Sequence, residues 1–172
     1  MVTFLSRIPL FLSLMISRYP YIIMYYTTLY DHVFQNMSEL DRIKENHITL
    51  LGYLTKIYEL SNDLFLSHLA TIHHIGQIIV AVDGSTIVGT GTIILEPKLS
   101  RGGLYVGHIE DVVVHPEYRG KRIAQDIITR LKEYGDQKKC YKIVLNCASD
   151  MVPFYEKVGF TEKGIHLADY LD

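Results

Sequence analysis

The stretch EDVVVHPEYRGKRIA, residues 110–124, joins a predicted strand to a predicted helix through a short basic turn. Residues 112–114 are three valines, which favour a strand, and Pro116 ends that strand. Gly120 frees the backbone before a helical pattern opens at Lys121. The first N–H groups of a helix have no partner inside the helix, and they carry the positive end of its dipole. Three cations add to that potential: Arg119, Lys121 and Arg122. The turn therefore predicts a phosphate or pyrophosphate site.

The sequence of this turn also resembles a known family pattern. RGKRIA, residues 119–124, is similar to the R/Q-x-x-G-x-G/A signature of the GNAT acetyltransferases, with an alanine as its last residue. Three further segments follow the order of that family: GHIEDVVV (107–114), CYKIVL (140–145) and FYEKVGF (154–160). Together they resemble the branch of the family that acetylates glucosamine 6-phosphate. The resemblance runs from about residue 86 to 160, with a fainter match in LGYLT (51–55).

The resemblance implies an α/β fold with a mixed, mostly antiparallel sheet that splays near its middle and carries helices on both faces. Acetyl-CoA, the co-substrate, would lie in the splay. Its acetyl group would pass to the amine of glucosamine 6-phosphate by direct attack in a ternary complex, on the route to UDP-N-acetylglucosamine. The resemblance further implies a homodimer whose C-terminal strands meet, and a cytoplasmic enzyme.

The family pattern assigns cofactor and catalytic roles to particular positions. Tyr155 is expected to face the thioester sulfur, and a β-bulge near residues 112–114 is expected to aim an N–H at the developing oxyanion. The implied catalytic residues are Tyr155, Glu110, Asp111 and Asn146. The implied contacts to acetyl-CoA are Val112, Val113, Val114, Arg119, Gly120, Lys121, Arg122, Ile123, Ala124, Asn146 and Tyr155.

A basic loop before residue 110 is the implied phosphate side of the sugar site. The implied substrate contacts are Thr55, Lys98, Leu99, Ser100, Arg101, Glu110, Asp111, Tyr141 and Lys142. The chain departs from the family pattern at three positions. Asn146 stands where relatives carry a carboxylate, Met151 where they often carry Asn, and Tyr170 where an arginine reaches the sugar phosphate. A sugar amine should titrate near or below an α-amino group, roughly 7.7–8.0, so positioning it matters more than deprotonating it.

Composition excludes several other classes of protein. The 172 residues are 48% hydrophobic and 21% charged, which is typical of one globular domain. A formal net charge of −2 argues against a nucleic-acid partner. Cys140 and Cys147 are the only cysteines, and their spacing predicts free thiols in a reducing compartment and no metal site. The adjacent His73 and His74 cannot share a helix face, so we interpret them as solvent-exposed.

The first 26 residues differ in composition from the rest. Residues 8–16 form an apolar run between Arg7 and Arg18, which resembles the core of a signal peptide without a clear cleavage site. The run is too short to span a membrane. We therefore divide the chain into an N-terminal extension of unclear role (1–26) and a GNAT domain (27–172). Met24 and Met37 are alternative starts.

Hydrophobic periodicity predicts the remaining elements. A helix is expected over about residues 38–58, with His47 as a packed core residue on an apolar stripe that ends with Leu54 and Ile57. Ser61 is expected to cap a second helix that carries Leu64, Phe65, Leu69 and Ile72. The other expected elements are strands 78–82 and 86–95 with a turn at Asp83-Gly84, a strand around 108–114, a helix over 121–134, a strand over 141–147 and a helix over 152–158.

Two alternatives to this function stay open from the residues alone. The same fold could act on another amine, such as an amino sugar, a polyamine or a peptide terminus. It could also be a non-catalytic module that binds acyl-CoA and regulates another protein. The retained Tyr155 and the Glu110-Asp111 pair count against the module.

Overall fold

The computed structural model describes residues 24–171, and its strands form one five-stranded sheet in chain order. The strands are β1 (Tyr25–Thr28), β2 (Gly76–Asp83), β3 (Thr86–Pro97), β4 (Tyr105–Val114) and β5 (Cys140–Leu145). The first three pairings are antiparallel and the β4–β5 pairing is parallel. The predicted mixed, mostly antiparallel sheet is therefore confirmed.

Helices cover both faces of the sheet. They are α1 (Leu29–Gln35), α2 (Leu40–Leu51), α3 (Asn62–Ile75), α4 (Ile123–Gln137) and α5 (Val152–Glu156). Alternation along β2 separates the two cores, because successive side chains of a strand point to opposite faces. Val80 packs with α1, α2 and α3, whereas Ala81 packs with α4. Burying each large apolar side chain, such as the fully buried Ile127, contributes roughly 1.5–3 kcal/mol.

The splay lies between β4 and β5. Their paired register ends at Ile109 and Leu145, while β4 continues to Val114. Within that continuation β4 carries a β-bulge: Thr90 pairs with Val113 and Thr92 with Glu110, so two residues of β4 oppose Gly91. This bulge falls at residues 111–112, next to the predicted position.

Gly91 lets α4 approach the sheet behind the bulge. A Cβ atom at this position would lie 2.8 Å from Cγ2 of Ile127 and 3.2 Å from Cδ1 of Leu131. Real Cβ atoms do not tolerate the first of these distances, so the close packing of helix on bulge requires glycine here.

Three predicted helices have the wrong bounds, and the last of them, α5, ends at Glu156 and not at residue 158. α2 ends at Leu51 and not at residue 58, so Leu54 and Ile57 are 48% and 44% exposed. Gly52 caps the helix, and the next amides form tighter turns back to residues 50 and 51. α4 begins at Ile123 and not at Lys121, because Arg122 has a left-handed backbone with φ of 65°.

Other details of the helical layer agree with the sequence. Ser61 caps α3, since its Oγ accepts from the Leu64 N–H at 3.2 Å, although the Leu64 side chain itself is 46% exposed. His47 is buried, and its Nε2 lies 3.1 Å from Oγ1 of Thr90. Burial lowers the pKa of His47 to about 4.

The apolar run at 8–16 lies outside the described residues, and β1 begins at Tyr25, two residues before the predicted domain boundary. Across residues 24–171, no helix has the length and apolar character that crossing a membrane requires. Residues 161–171 form no helix or strand and are exposed, with Ile165, Leu167 and Leu171 each at least 87% exposed.

Candidate active site

The splay between β4 and β5 opens a cleft of about 700 Å³. The free part of β4 forms one wall, and the end of β5 with α5 forms the opposite wall. The turn before α4 closes one end. The residues that line the cleft are Tyr53, Leu54, Ile109, Glu110, Asp111, Val112, Val113, Val114, Tyr118, Arg119, Gly120, Arg122, Ile123, Ala124, Gln125, Leu145, Asn146, Cys147, Ala148, Met151, Phe154 and Tyr155.

The turn before α4 presents free backbone donors to the cleft. The first helical bond of α4 runs from the Asp126 N–H to the Arg122 carbonyl at 3.0 Å. Within residues 24–171, the six amides from Gly120 to Gln125 donate no hydrogen bond. Such a series of amides at a helix N-terminus can bind the oxygens of a pyrophosphate.

Arg119 holds the turn together. Its amide donates to the Pro116 carbonyl at 3.2 Å and its Nε to the Val114 carbonyl at 3.3 Å. Its backbone N–H is therefore occupied, while the guanidinium keeps positive charge at the cleft. Lys121 does not line the cleft, and its Nζ lies 4.5 Å from the centroid of the Tyr118 ring. The donors available for an anion thus begin at Gly120.

The two acidic residues of the bulge lie in the same cleft. Asp111 adopts φ of 54°, a strained conformation for a residue with a side chain. Burial removes part of the hydration of the Asp111 carboxyl group and so raises its pKa above the ordinary value. Glu110 also lines the cleft. The bulge therefore presents both carboxylates beside the free edge of β4, where a regular strand would turn one of them away.

Tyr155 faces the cleft from the opposite wall. Its ring is held edge-on by Phe154 and Phe160, with centroid distances of 5.0 and 6.1 Å. Burial raises the pKa of Tyr155, and the nearby Cys147 adds to this effect. The hydroxyl therefore stays protonated near neutral pH, and it has no hydrogen-bond partner within residues 24–171. It can act as a hydrogen-bond donor to a group in the cleft.

Asn146, which directly follows β5, lines the cleft, as does Met151 directly before α5. An amide side chain can donate and accept hydrogen bonds but does not take up a proton as a base. The carboxylates available in the cleft are therefore those of Glu110 and Asp111.

The predicted phosphate contacts lie elsewhere. Tyr141 is flanked by Arg101 and Lys142, whose cationic groups lie 5.1 and 5.8 Å from its ring centroid. Lys98 forms an ion pair with Glu96. These side chains lie at the start of β5 and the end of β3, away from the open part of the splay. None of the following lines the cleft of its own chain: Thr55, Lys98, Leu99, Ser100, Arg101, Tyr141 and Lys142.

Ten cleft residues were not among the sequence-based candidates: Tyr53, Leu54, Ile109, Tyr118, Gln125, Leu145, Cys147, Ala148, Met151 and Phe154. The first two belong to the LGYLT segment, whose faint family match was the available signal. Tyr118 donates to Oδ2 of Asp83 at 2.7 Å, which ties the turn before α4 to the β2–β3 hairpin. No local pattern indicated this long-range contact.

Metal ligation finds no support in the part of the chain that the structure describes. No group of three or more His, Cys, Asp or Glu side chains there could hold a metal ion. His73 and His74 are exposed, as expected, and His73 stacks on Tyr30 with centroids 3.8 Å apart.

Comparisons with known proteins agree with this geometry. The model of the acetyltransferase (GNAT) family matches residues 40–160. The chain is 40% identical over 119 residues to glucosamine 6-phosphate N-acetyltransferase of Trypanosoma brucei brucei, covering 67% of this chain and 80% of the relative. It is 37% identical over 144 residues to glucosamine 6-phosphate N-acetyltransferase 1 of Dictyostelium discoideum, which covers 83% of this chain and 82% of the relative. The crystal structure of glucosamine-6-phosphate N-acetyltransferase from Arabidopsis thaliana superposes with a TM-score of 0.77 at 28% identity, covering 87% and 99%.

Proposed function

The chain belongs to the GNAT acetyltransferase family, and we propose that it transfers the acetyl group of acetyl-CoA to the amine of glucosamine 6-phosphate. The observation that carries this proposal is the cleft in the splay. Free amides lie at one end, two carboxylates lie on one wall, and a protonated tyrosine lies on the other. Relatives that act on this substrate cover most of the chain at 30–40% identity.

The cleft fits acetyl-CoA as co-substrate. The free amides from Gly120 onward, with Arg119 and Arg122, suit a pyrophosphate. The edge of β4 beyond Ile109 has no strand partner on the β5 side, so its backbone groups can pair with an extended ligand that carries amides. Acetyl-CoA supplies an acetyl group activated as a thioester.

Each residue then has one task in the acyl transfer. Glu110 and Asp111 orient the amine and accept the proton that leaves nitrogen as the new C–N bond forms. A free N–H of the bulged β4 edge donates to the carbonyl oxygen as negative charge develops there. As the C–S bond breaks, the Tyr155 hydroxyl donates its proton to the departing sulfur. Holding the amine against the carbonyl can contribute up to about 7–11 kcal/mol.

The active unit in this proposal is a homodimer. β5 is the last strand of the sheet, and the arm at residues 161–171 exposes Ile165, Leu167 and Leu171 almost completely. An unpaired strand edge beside an exposed apolar arm favours an interface with a second copy. Lys98, Arg101 and Lys142 lie outside their own cleft, so their role on the sugar phosphate requires that second protomer. The cytoplasm, where acetyl-CoA and sugar phosphates are available, is the proposed location.

Thiol release from acetyl-CoA, measured across a panel of amines, tests the function. Glucosamine 6-phosphate, glucosamine, a polyamine and a peptide with a free N-terminus form the panel, with a reaction without amine as control. We expect thiol release to be fastest with glucosamine 6-phosphate. A faster reaction with another amine would overturn the assignment of glucosamine 6-phosphate as the substrate, while the assignment to the GNAT family would still stand. Binding of acetyl-CoA without thiol release on any amine would favour the non-catalytic module.

A further inference from the structure

The loop between α2 and α3, residues 52–61, contacts the acetyl-CoA side of the cleft through one aromatic pair. The hydroxyl of Tyr53 lies 3.3 Å from Nε2 of His115, and the two rings meet edge-on with centroids 5.4 Å apart. His115 meets Tyr118 in the same way, at 5.9 Å and 81°. Tyr53 and Tyr118 both line the cleft. The three rings therefore connect the α2–α3 loop to the turn that precedes α4.

The backbone of the turn determines which nitrogen of His115 carries the proton. The Glu117 N–H donates to Nδ1 of His115 at 3.4 Å, and the His115 N–H donates to the Val88 carbonyl at 2.9 Å. Because Nδ1 accepts, the neutral ring carries its proton on Nε2, which then donates to the Tyr53 oxygen. The Tyr53 hydroxyl keeps its own proton free to donate to another acceptor.

The rest of the loop has little else to fix it in place. Its residues from 52 to 59 are exposed and form no helix or strand beyond the turn at 52–54. Among the described residues, the other hydrogen bond from this loop to a different element runs from Lys44 Nζ of α2 to the Leu60 carbonyl, at the far end of the loop. The Tyr53–His115 bond is therefore the contact that sets the distance between the loop and the cofactor turn.

We propose that Tyr53 and His115 are a positioning pair that couples acetyl-CoA binding to the amino-sugar site. When acetyl-CoA occupies the turn before α4, His115 holds Tyr53, and the loop keeps Leu54 against the cleft where the second substrate binds. Neither residue contacts the reacting atoms in this account. The inference rests on the proposed function only for the identity of the second substrate.

Two single variants separate the pair from general packing. Tyr53→Phe removes only the hydroxyl. His115→Asn keeps a side-chain oxygen that can accept from the Glu117 N–H but does not reach Tyr53. Each variant should raise KM for glucosamine 6-phosphate about three- to tenfold, the effect of one hydrogen bond, with kcat and the Kd for acetyl-CoA within about twofold of the parent. The double variant should match either single variant, because both remove the same bond.

Tyr58→Phe is the matched control, since Tyr58 lies in the same loop, is 74% exposed and does not line the cleft. It should leave KM unchanged. The proposal is overturned if Tyr58→Phe raises KM as much as Tyr53→Phe does. It is also overturned if the effects of the two single variants multiply in the double variant.

Amide hydrogen exchange tests the coupling without reference to the amine substrate. Acetyl-CoA should slow exchange of residues 53–58 in the parent and in Tyr58→Phe, but not in Tyr53→Phe or His115→Asn. If acetyl-CoA slowed amide exchange equally in all four proteins, the proposed coupling through Tyr53 and His115 would be refuted, even if glucosamine 6-phosphate is the substrate. The parent protein could instead show slower amide exchange that depends on Tyr53 and His115 but no activity on glucosamine 6-phosphate. That result would support the positioning pair and refute the proposed substrate.

Discussion

Replacing Arg122 by glycine should stabilise the fold and weaken acetyl-CoA binding at the same time. Arg122 precedes α4 with φ of 65°, and its exposed side chain lines the cleft. The left-handed conformation costs an ordinary residue roughly 1–2 kcal/mol, and the extra unfolded-state entropy of glycine offsets about 0.5–1 kcal/mol of the relief. The net gain in the free energy of unfolding is therefore about 0.5–1 kcal/mol.

Binding should change in the opposite direction. The variant keeps the free amides from Gly120 to Gln125 but removes one guanidinium from the proposed pyrophosphate site. A hydrogen bond to a charged group contributes about 1.5–3 kcal/mol, so the Kd for acetyl-CoA should rise about ten- to a hundredfold. Urea unfolding measures the first quantity, and titration calorimetry measures the second.

Lys139→Gly is the matched control for this prediction. Lys139 also has a left-handed backbone, with φ of 61°, but it follows the C-terminus of α4 and does not line the cleft. It should gain similar stability with an unchanged Kd. If Arg122→Gly lost stability while Lys139→Gly gained it, the arginine would have a structural role. An unchanged Kd in Arg122→Gly would remove its side chain from the cofactor site.

Further variants test the chemistry, the core and the sugar site. Tyr155→Phe should lower kcat on the order of a hundredfold with little change in KM, since the hydroxyl acts mainly as the C–S bond breaks; preserved kcat would make Tyr155 a packing residue. His47 has a folded pKa of about 4 against 6.5 unfolded, so its stabilising effect is complete above pH 6.5 and is lost as pH falls towards 4. The parent should lose about 3 kcal/mol more than His47→Gln over that range in urea unfolding, and parallel pH curves would refute this. Tyr170→Arg should raise the kcat/KM ratio of glucosamine 6-phosphate to glucosamine about ten- to a hundredfold, and an unchanged ratio would show that Tyr170 does not align with the family arginine.

Local patterns predicted the parts of the fold that local physics controls. The β2–β3 hairpin with its turn at Asp83-Gly84, the Ser61 cap and the buried His47 follow from turn chemistry, capping chemistry and side-chain periodicity. The end of α2 at Leu51 did not follow, because Leu54 and Ile57 continue the apolar spacing although Gly52 stops the helix. Where apolar spacing favours a longer helix and a glycine favours its end, tertiary contacts decide where the helix stops.

The candidate site divides in the same way. Most of the proposed cofactor residues lie in one continuous stretch from β4 to α4, which a local motif can single out, although Lys121 of that motif does not line the cleft and Tyr118 and Gln125 do. Arg122 was assigned to a helix because its left-handed backbone has no sequence signal in a residue other than glycine. Tyr53 and His115 are 62 residues apart, so their contact depends on the assembled fold. Arg101 and Lys142 were expected at the substrate but lie outside the cleft, and a single-chain sequence pattern carries no signal for the second protomer that their proposed role requires.

A competition experiment tests the central claim most directly. The enzyme is given limiting acetyl-CoA with equal concentrations of glucosamine 6-phosphate, glucosamine and a peptide amine, and mass spectrometry counts the acetylated products. The product ratio equals the ratio of kcat/KM values, so no separate kinetic constants are needed. N-acetylglucosamine 6-phosphate is predicted to be the dominant product. A dominant acetylated peptide or unphosphorylated sugar would contradict the assignment.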